Sequence, residues 1–311
     1  MNSIICIAGP TASGKTALAV ELAKECNGEV ISCDSMQIYR HMDIGTAKPT
    51  REEMQGIPHH MLDVADPGED FSVSRYCAQA DAILQDILSR GKRAIIAGGT
   101  GLYMDSLIRG NDFAPFPSTG MRERLEAQAD EVGMEAMLEQ LRAIDPEAAS
   151  RLHLADRKRI IRALEVYYET GETITAHNAR TQQIPAKYSP LWLGLDFDPR
   201  QELYRRIDLR VSLMLEAGLE KEIRQLLDMG IPGNCTAMQA IGYKEFLAAM
   251  EGKASFETAA DQVRQASRHY AKRQLTWFRR NKSIHWLVRK PGQTQDEILE
   301  MARQVLLNFD K

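Results

Sequence analysis

Apolar residues enter this chain as short unbroken runs, each closed by a turn signal. Ile4-Ile5-Cys6-Ile7-Ala8 leads into glycine, Glu29-Val30-Ile31-Ser32-Cys33 into Asp34-Ser35-Met36-Gln37, and Arg93-Ala94-Ile95-Ile96-Ala97 into Gly98-Gly99-Thr100-Gly101. Runs of this length bounded in this way predict buried strands. Between them the apolar spacing changes to three and four. Ala17-Leu18-Ala19-Val20-Glu21-Leu22-Ala23 predicts a helix. Ser72 predicts the N-cap of another, running through Tyr76, Ala80, Ile83, Leu84, Ile87 and Leu88 to a stop near Gly91. Strand alternating with helix over the first 110 residues predicts a parallel sheet covered by helices on both faces.

That rhythm ends at Asn111-Asp112-Phe113-Ala114-Pro115-Phe116-Pro117, and from about 118 to 180 only helical spacing remains. A helical insertion over 111–189 is expected. The strand pattern resumes at Leu191-Trp192-Leu193-Gly194-Leu195, followed by a helix from near Gln201. This helix is expected to carry Arg205, Arg206 and Arg210 and to continue through Leu213, Leu215 and Leu219 towards Met229. Long helices close the chain, with Ile284-His285-Trp286-Leu287-Val288 as a last strand. The core is thus expected in two parts, 1–110 and 190–311, the second ending in basic helices.

Composition narrows the class without naming a chemistry. The 311 residues are 44% hydrophobic and 26% charged, as in an ordinary globular protein. No stretch reaches the roughly 18 apolar residues of a membrane helix, and the chain opens on a strand rather than a secretory signal. Five scattered cysteines (Cys6, Cys26, Cys33, Cys77, Cys235) lack metal-ligand spacing and predict reduced thiols in a cytoplasmic protein. The net charge of −4 argues mildly against nucleic acid, but its distribution argues otherwise. From Arg264 to Lys290 stand nine Lys or Arg and no Asp or Glu (Arg264, Arg268, Lys272, Arg273, Arg279, Arg280, Lys282, Arg289, Lys290), interleaved with Tyr270, Trp277, Phe278 and Trp286. Charge alone leaves this stretch open between a phosphate-backbone surface and a solvated helix face.

Chemistry concentrates between the first strand and the first helix. Gly9-Pro10-Thr11-Ala12-Ser13-Gly14-Lys15-Thr16 fits G-x-x-x-x-G-K-[ST], a loop whose backbone N–H groups cradle phosphates. The expected fold is a P-loop NTPase-like parallel sheet flanked by helices, with an all-helical insertion. Lys15 would contact phosphate as a point charge, and the Thr16 hydroxyl would ligate Mg²⁺. A P-loop NTPase holds its metal with a second acid after an apolar strand, yet the strand at 93–97 runs into Gly98-Gly99-Thr100-Gly101. The available acid is Asp34. Standing near a diphosphate but outside the NTPase position, it could serve as a base, or as a helix cap or indirect metal contact. Arg206 and Arg210, four apart, share a helix face; they could clamp a phosphate or pair with Asp208 or Glu202.

Further motifs give these residues a family context. Gly9–Thr16, Asp34-Ser35-Met36-Gln37-Ile38-Tyr39, Gly45-Thr46-Ala47-Lys48-Pro49, Pro58-His59-His60-Met61-Leu62-Asp63 and Gly98-Gly99-Thr100-Gly101-Leu102-Tyr103 follow in order. Asp156-Arg157-Lys158-Arg159, Arg162-Ala163-Leu164-Glu165, Arg206-Ile207-Asp208-Leu209-Arg210, Gln239-Ala240-Ile241-Gly242-Tyr243-Lys244-Glu245 and Tyr270–Phe278 complete the series. With these motifs the chain resembles the tRNA dimethylallyltransferases, in the shorter form without a C-terminal zinc finger. The resemblance implies transfer of a dimethylallyl group from dimethylallyl diphosphate to the N6 amine of the adenosine just 3′ of a tRNA anticodon. It implies that Gly9, Pro10, Thr11, Ala12, Ser13, Gly14, Lys15 and Thr16 hold the donor diphosphate with Mg²⁺, that Arg210 assists, and that Asp34 takes the amine proton. Contacts to the tRNA anticodon stem-loop are implied for Asp34, Ser35, Met36, Gln37, Thr100, Arg122, Lys158, Arg159, Ile160, Ile161, Arg162, Gln239, Ala240, Ile241, Gly242, Tyr243 and Lys244. No obligate protein partner is expected, and the chain is expected to act as a monomer. Alternatives are an adenylate isopentenyltransferase using free AMP, ADP or ATP, a small-molecule kinase on the same core, and an ATP-gated RNA-binding protein.

Overall fold

The computed structural model describes residues 4–110 and 119–309. The segment 111–118, where the strand–helix rhythm is expected to end, lies outside them. The chain divides into two compact units, one formed by residues up to 110 and from 188 onwards, the other by 111–187.

Six strands form the sheet of the first unit: β1 Ile4–Ala8, β2 Gly28–Cys33, β3 His59–His60, β4 Arg93–Gly98, β5 Leu191–Phe197 and β6 Ile284–Arg289. All neighbours pair in parallel, in the order β3-β2-β4-β1-β5-β6. Every residue of β1, β2 and β5 is buried, which is why these strands read as unbroken rather than alternating apolar runs. Helices α1 Lys15–Glu25, α2 Arg51–Met54, α3 Val73–Ser89 and α4 Gly101–Arg109 follow the early strands. The Ser72 hydroxyl accepts from Arg75 N at 3.1 Å and caps α3 as expected.

The second unit holds α5 Met121–Ile144, kinked at Gly133, then α6 Pro146–Ser150, α7 Arg157–Thr170 and α8 Ile174–Gln183. Leu125, Met137, Leu141, Ile160, Ile161 and Leu164 make its core. The buried Asp145 carboxylate caps α6 at Ala148 N and holds Thr175 through both N–H and hydroxyl.

The first unit resumes at Tyr188, whose N–H donates to Ile108 O at 3.1 Å and whose hydroxyl donates to Asp81 Oδ1 at 2.7 Å. After β5 come α9 Arg200–Glu216, α10 Leu219–Asp228, α11 Tyr243–Met250, α12 Phe256–Phe278 and, beyond β6, α13 Gln295–Phe309. Here one expectation is corrected: the helix from Gln201 does not run through to Met229. Gly218 adopts φ +98° and ends α9, with Gly218 N donating back to Leu215 O. A left-handed glycine is a common helix stop, and the same Gly218 is the N-cap of α10. Leu213 is 53% exposed and Leu219 is fully buried.

Candidate active site

Strands of a parallel sheet deliver their carboxyl ends to one edge, where ligands bind. The segments following β1, β2 and β4 meet at that edge here, and two later helices reach in. Directly after β1, Gly9–Thr16 wraps into the start of α1, with Gly14 at φ +92°. The Lys15 ammonium donates to Pro10 O at 2.6 Å. From α9, Arg206 Nε donates to Ala12 O at 3.0 Å and Arg210 Nη1 donates to Thr11 Oγ1 at 2.9 Å. The carboxylates that could have taken these arginines go elsewhere: Glu202 pairs with Arg205 and Asp208 with Arg268. Three cations therefore surround the loop, each resting on a neutral oxygen.

Such crowding costs charge stability. Burial pushes the Lys15 ammonium down to about 7, Arg210 adds to the fall, and the Asp34 carboxylate opposes it. Burial likewise lowers Arg210, against the pull of Asp34 and Glu53. The Ser13 hydroxyl is buried and has no hydrogen-bond partner among the described residues. A buried unpartnered donor beside unpaired cations is an arrangement completed by an anion.

Asp34 follows β2. Its Oδ1 accepts from Met36 N at 2.9 Å and Gln37 N at 3.4 Å, forming an Asx turn that fixes the side chain. Oδ2 takes no hydrogen bond among the described residues. Thr100, after β4, accepts from Ser35 N at 3.0 Å and lies beside the Tyr270 hydroxyl. That phenol is pushed up to about 12 by burial and then by the Asp34 charge. Gln37 faces inward: it accepts from Ser32 Oγ and donates to Thr46 O and Ala47 O.

The loop that Gln37 braces is held from its other side. Glu222 of α10 accepts from the N–H groups of Asp43, Ile44 and Gly45 and from the Tyr243 hydroxyl, all within 3.0 Å. Tyr243 is thus wholly buried, whereas Gln239 and Lys244 are exposed, Ala240 and Ile241 partly so, and Gly242 opens α11.

The remaining residues expected at the site belong to the second unit. Lys158 and Arg159 are exposed on α7. Ile160 and Ile161 face that unit's core. Arg122 and Arg162 both bond Glu165 Oε2 at 2.8 Å. Of the nine cations from 264 to 290, Arg264, Arg268 and Arg279 pair with Asp261, Asp208 and Asp196, while Lys272, Arg273, Arg280, Lys282 and Lys290 are exposed.

Two contributors escaped sequence reasoning. Tyr270 and Gln274 lie in a stretch read for its charge, yet both turn from α12 into the site edge. Gln274 accepts from Thr11 N and donates to Gly99 O, each at 2.9 Å. The available signal was their i, i+4 spacing on a helix face otherwise made of Ala271, Leu275 and Phe278.

Sheet order, glycine loop and cation set define a P-loop phosphate-binding protein whose spare acid stands after β2. The family described as IPP transferase matches residues 37–281, and that described as isopentenyl transferase matches 2–70. A tRNA dimethylallyltransferase of Acetivibrio thermocellus is 44% identical over 99% of both chains, and one of Alkaliphilus oremlandii is 48% identical over 91% of this chain and 90% of its own. Among solved structures, the tRNA isopentenylpyrophosphate transferase of Bacillus halodurans is 40% identical with a TM-score of 0.74, covering 98% of this chain and 96% of its own. A eukaryotic dimethylallyltransferase described as acting on tRNA is 30% identical with a TM-score of 0.83, covering 99% and 80%. The chain belongs to the IPP transferase family.

Proposed function

We propose that this protein is a tRNA dimethylallyltransferase. It moves the dimethylallyl group from dimethylallyl diphosphate to the exocyclic N6 amine of the adenosine immediately 3′ of the anticodon, and releases diphosphate. The observation that carries the reading is the pairing of an anion-seeking loop with a carboxylate oxygen that nothing else occupies. The loop N–H groups, Lys15 and Arg210 bind the donor diphosphate. The relatives' names supply the prenyl donor and the tRNA.

In the transfer a C–N bond forms at the allylic carbon, and the carbon–oxygen bond breaks with its electron pair leaving on the diphosphate. The proton lost by the amine passes to Asp34 Oδ2. An aromatic amine is a weak nucleophile because its lone pair is delocalised, so a fixed base helps. The Asx turn holds Asp34 in place, and Thr100 with Tyr270 forms the wall beside it. Lys15 and Arg210 stabilise the charge that builds on the leaving group.

The donor set suits Mg²⁺. Thr16 offers a hard oxygen at the start of α1, Ser13 a buried unpartnered one, and no cluster of three acids is found among the described residues. Mg²⁺ favours such a site, keeping waters and taking other ligands from phosphate oxygens. When bound it supplies neutralisation of the diphosphate.

The acceptor adenosine leaves its stack to reach the allylic carbon, which costs a few kcal/mol and least in a single-stranded loop. Ser35, Met36, Thr100, Gln239 and Lys244 read the anticodon loop, with Gln37 and Tyr243 setting their backbone. Arg122, Lys158, Arg159 and Arg162 serve tRNA from the second unit, and Lys272, Arg273, Arg280 and Lys282 hold phosphates. The protein works as a cytoplasmic monomer.

The test incubates the protein with Mg²⁺, labelled dimethylallyl diphosphate and either tRNA or AMP. Label is expected on tRNA alone. Label on AMP but not tRNA overturns the reading, and ATP turnover without prenyl transfer points to a kinase or ATPase.

A further inference from the structure

Helix α12 presents three polar side chains inward at four- and three-residue steps: Tyr270, Gln274 and Trp277. Tyr270 lies beside Thr100, and Trp277 Nε1 donates to Asp105 of α4 at 2.7 Å. Gln274, between them, is 5% exposed and uses both ends of its amide. Its carbonyl accepts from Thr11 N, inside the phosphate loop, and its amino group donates to Gly99 O, in the loop after β4. The fit is close enough that a Cβ on Gly99 would stand 2.0 Å from Gln274 Nε2. These two loops carry the two halves of the chemistry: one binds the leaving group, and the other places Thr100 beside Asp34.

We infer that Gln274 is a positioning residue for the transfer, an amide strut that sets the distance between phosphate loop and acceptor wall. The inference rests on the reading of the loop as the donor diphosphate site. Thr11 makes the coupling specific, since its hydroxyl simultaneously accepts from Arg210. Losing the strut frees the residue on which the Arg210 guanidinium is parked, so donor binding and chemistry both suffer while the tRNA surface is untouched. Only a side chain with one donor and one acceptor at this reach satisfies both loops. A carboxylic acid does so when protonated; a carboxylate cannot donate to Gly99 O and brings negative charge to the diphosphate.

Two variants test this. Gln274→Met keeps volume but removes both bonds; donor KM is expected to rise and kcat to fall, lowering kcat/KM about tenfold or more, with tRNA affinity unchanged. In Gln274→Glu, kcat/KM relative to wild type should climb severalfold from pH 8 to pH 6 as the acid regains its proton. A pH-independent ratio, or a methionine variant with wild-type donor kinetics, overturns the inference. Calorimetric binding of inorganic diphosphate by wild type and both variants reads the loop without transfer. If wild-type protein prenylates nothing, the functional reading fails, yet weaker, pH-dependent diphosphate binding by the variants still upholds the strut and equal binding still refutes it. Should the methionine variant not fold, the glutamate series decides alone.

Discussion

A carboxylate stands near the start of strand β2 and another just past its end, and the two are treated in opposite ways. Glu29, near its start, is sealed in with a 4% exposed side chain, and Arg90 grips both its oxygens while Lys92 and His60 add one bond each. The Arg90 hydrogen bonds above all hold its carboxyl well below the usual range, against the cost of burial. Just beyond the other end, Asp34 faces Lys15 and Arg210 without touching either, and those cations rest on neutral oxygens. Where the chain needs only to stay folded, opposite charges neutralise each other. At the edge proposed as the active site, they are kept apart.

The largest effect should come from breaking the active end. Asp34→Ala is expected to lower kcat for prenyl transfer by about 10²–10⁴, the usual worth of a general base, with tRNA affinity by filter binding little changed. Comparable loss of tRNA binding would assign Asp34 to recognition instead. Glu29→Gln should act the other way round, leaving kcat intact and lowering unfolding free energy in urea by about 2 kcal/mol. That is less than for a fully buried pair, because Arg90 and Lys92 are about a third exposed. Since the Glu29 carboxyl is depressed on folding, its contribution is full above about pH 4.5 and is lost as pH falls below that value; the variant's deficit should shrink accordingly in acid.

Arg210→Ala should weaken donor binding by about tenfold to a hundredfold, the worth of one charged hydrogen bond. Unchanged donor KM and kcat would remove it from the clamp. The smallest effect is a titration. Lys15, lowered to about 7, regains its proton when a diphosphate arrives. Donor affinity should therefore fall by about fivefold from pH 7 to pH 8, and calorimetry in buffers of different ionisation enthalpy should show proton uptake on binding at pH 8. Proton-neutral binding there would place Lys15 outside the phosphate contact.

How legible all this was depended on where the physics is local. The strands at 4–8, 28–33 and 93–98 announce themselves by short, mainly apolar runs, as central strands of a parallel sheet do. The glycine loop is equally plain, being contiguous. The break at Gly218 was invisible to periodicity, since Leu219 keeps nearly the spacing that a continuous helix would need. Strand β3 is two residues, His59 and His60, held by pairing to Val30 and Ile31 rather than by any propensity of its own. Neither Glu222 nor Gln274 is assigned a contact by the sequence, yet one binds a loop 177–179 residues away and the other a loop 263 residues away. Spacing on one helix can show which face a residue shares, but not a partner that distant in the chain.

The bond between Tyr188 N and Ile108 O has a consequence for how such a protein can change over time. It fastens together the two points where residues 111–187 leave and rejoin the sheet-bearing unit. Lengthening, shortening or exchanging residues 111–187 then alters a graft and not the trunk.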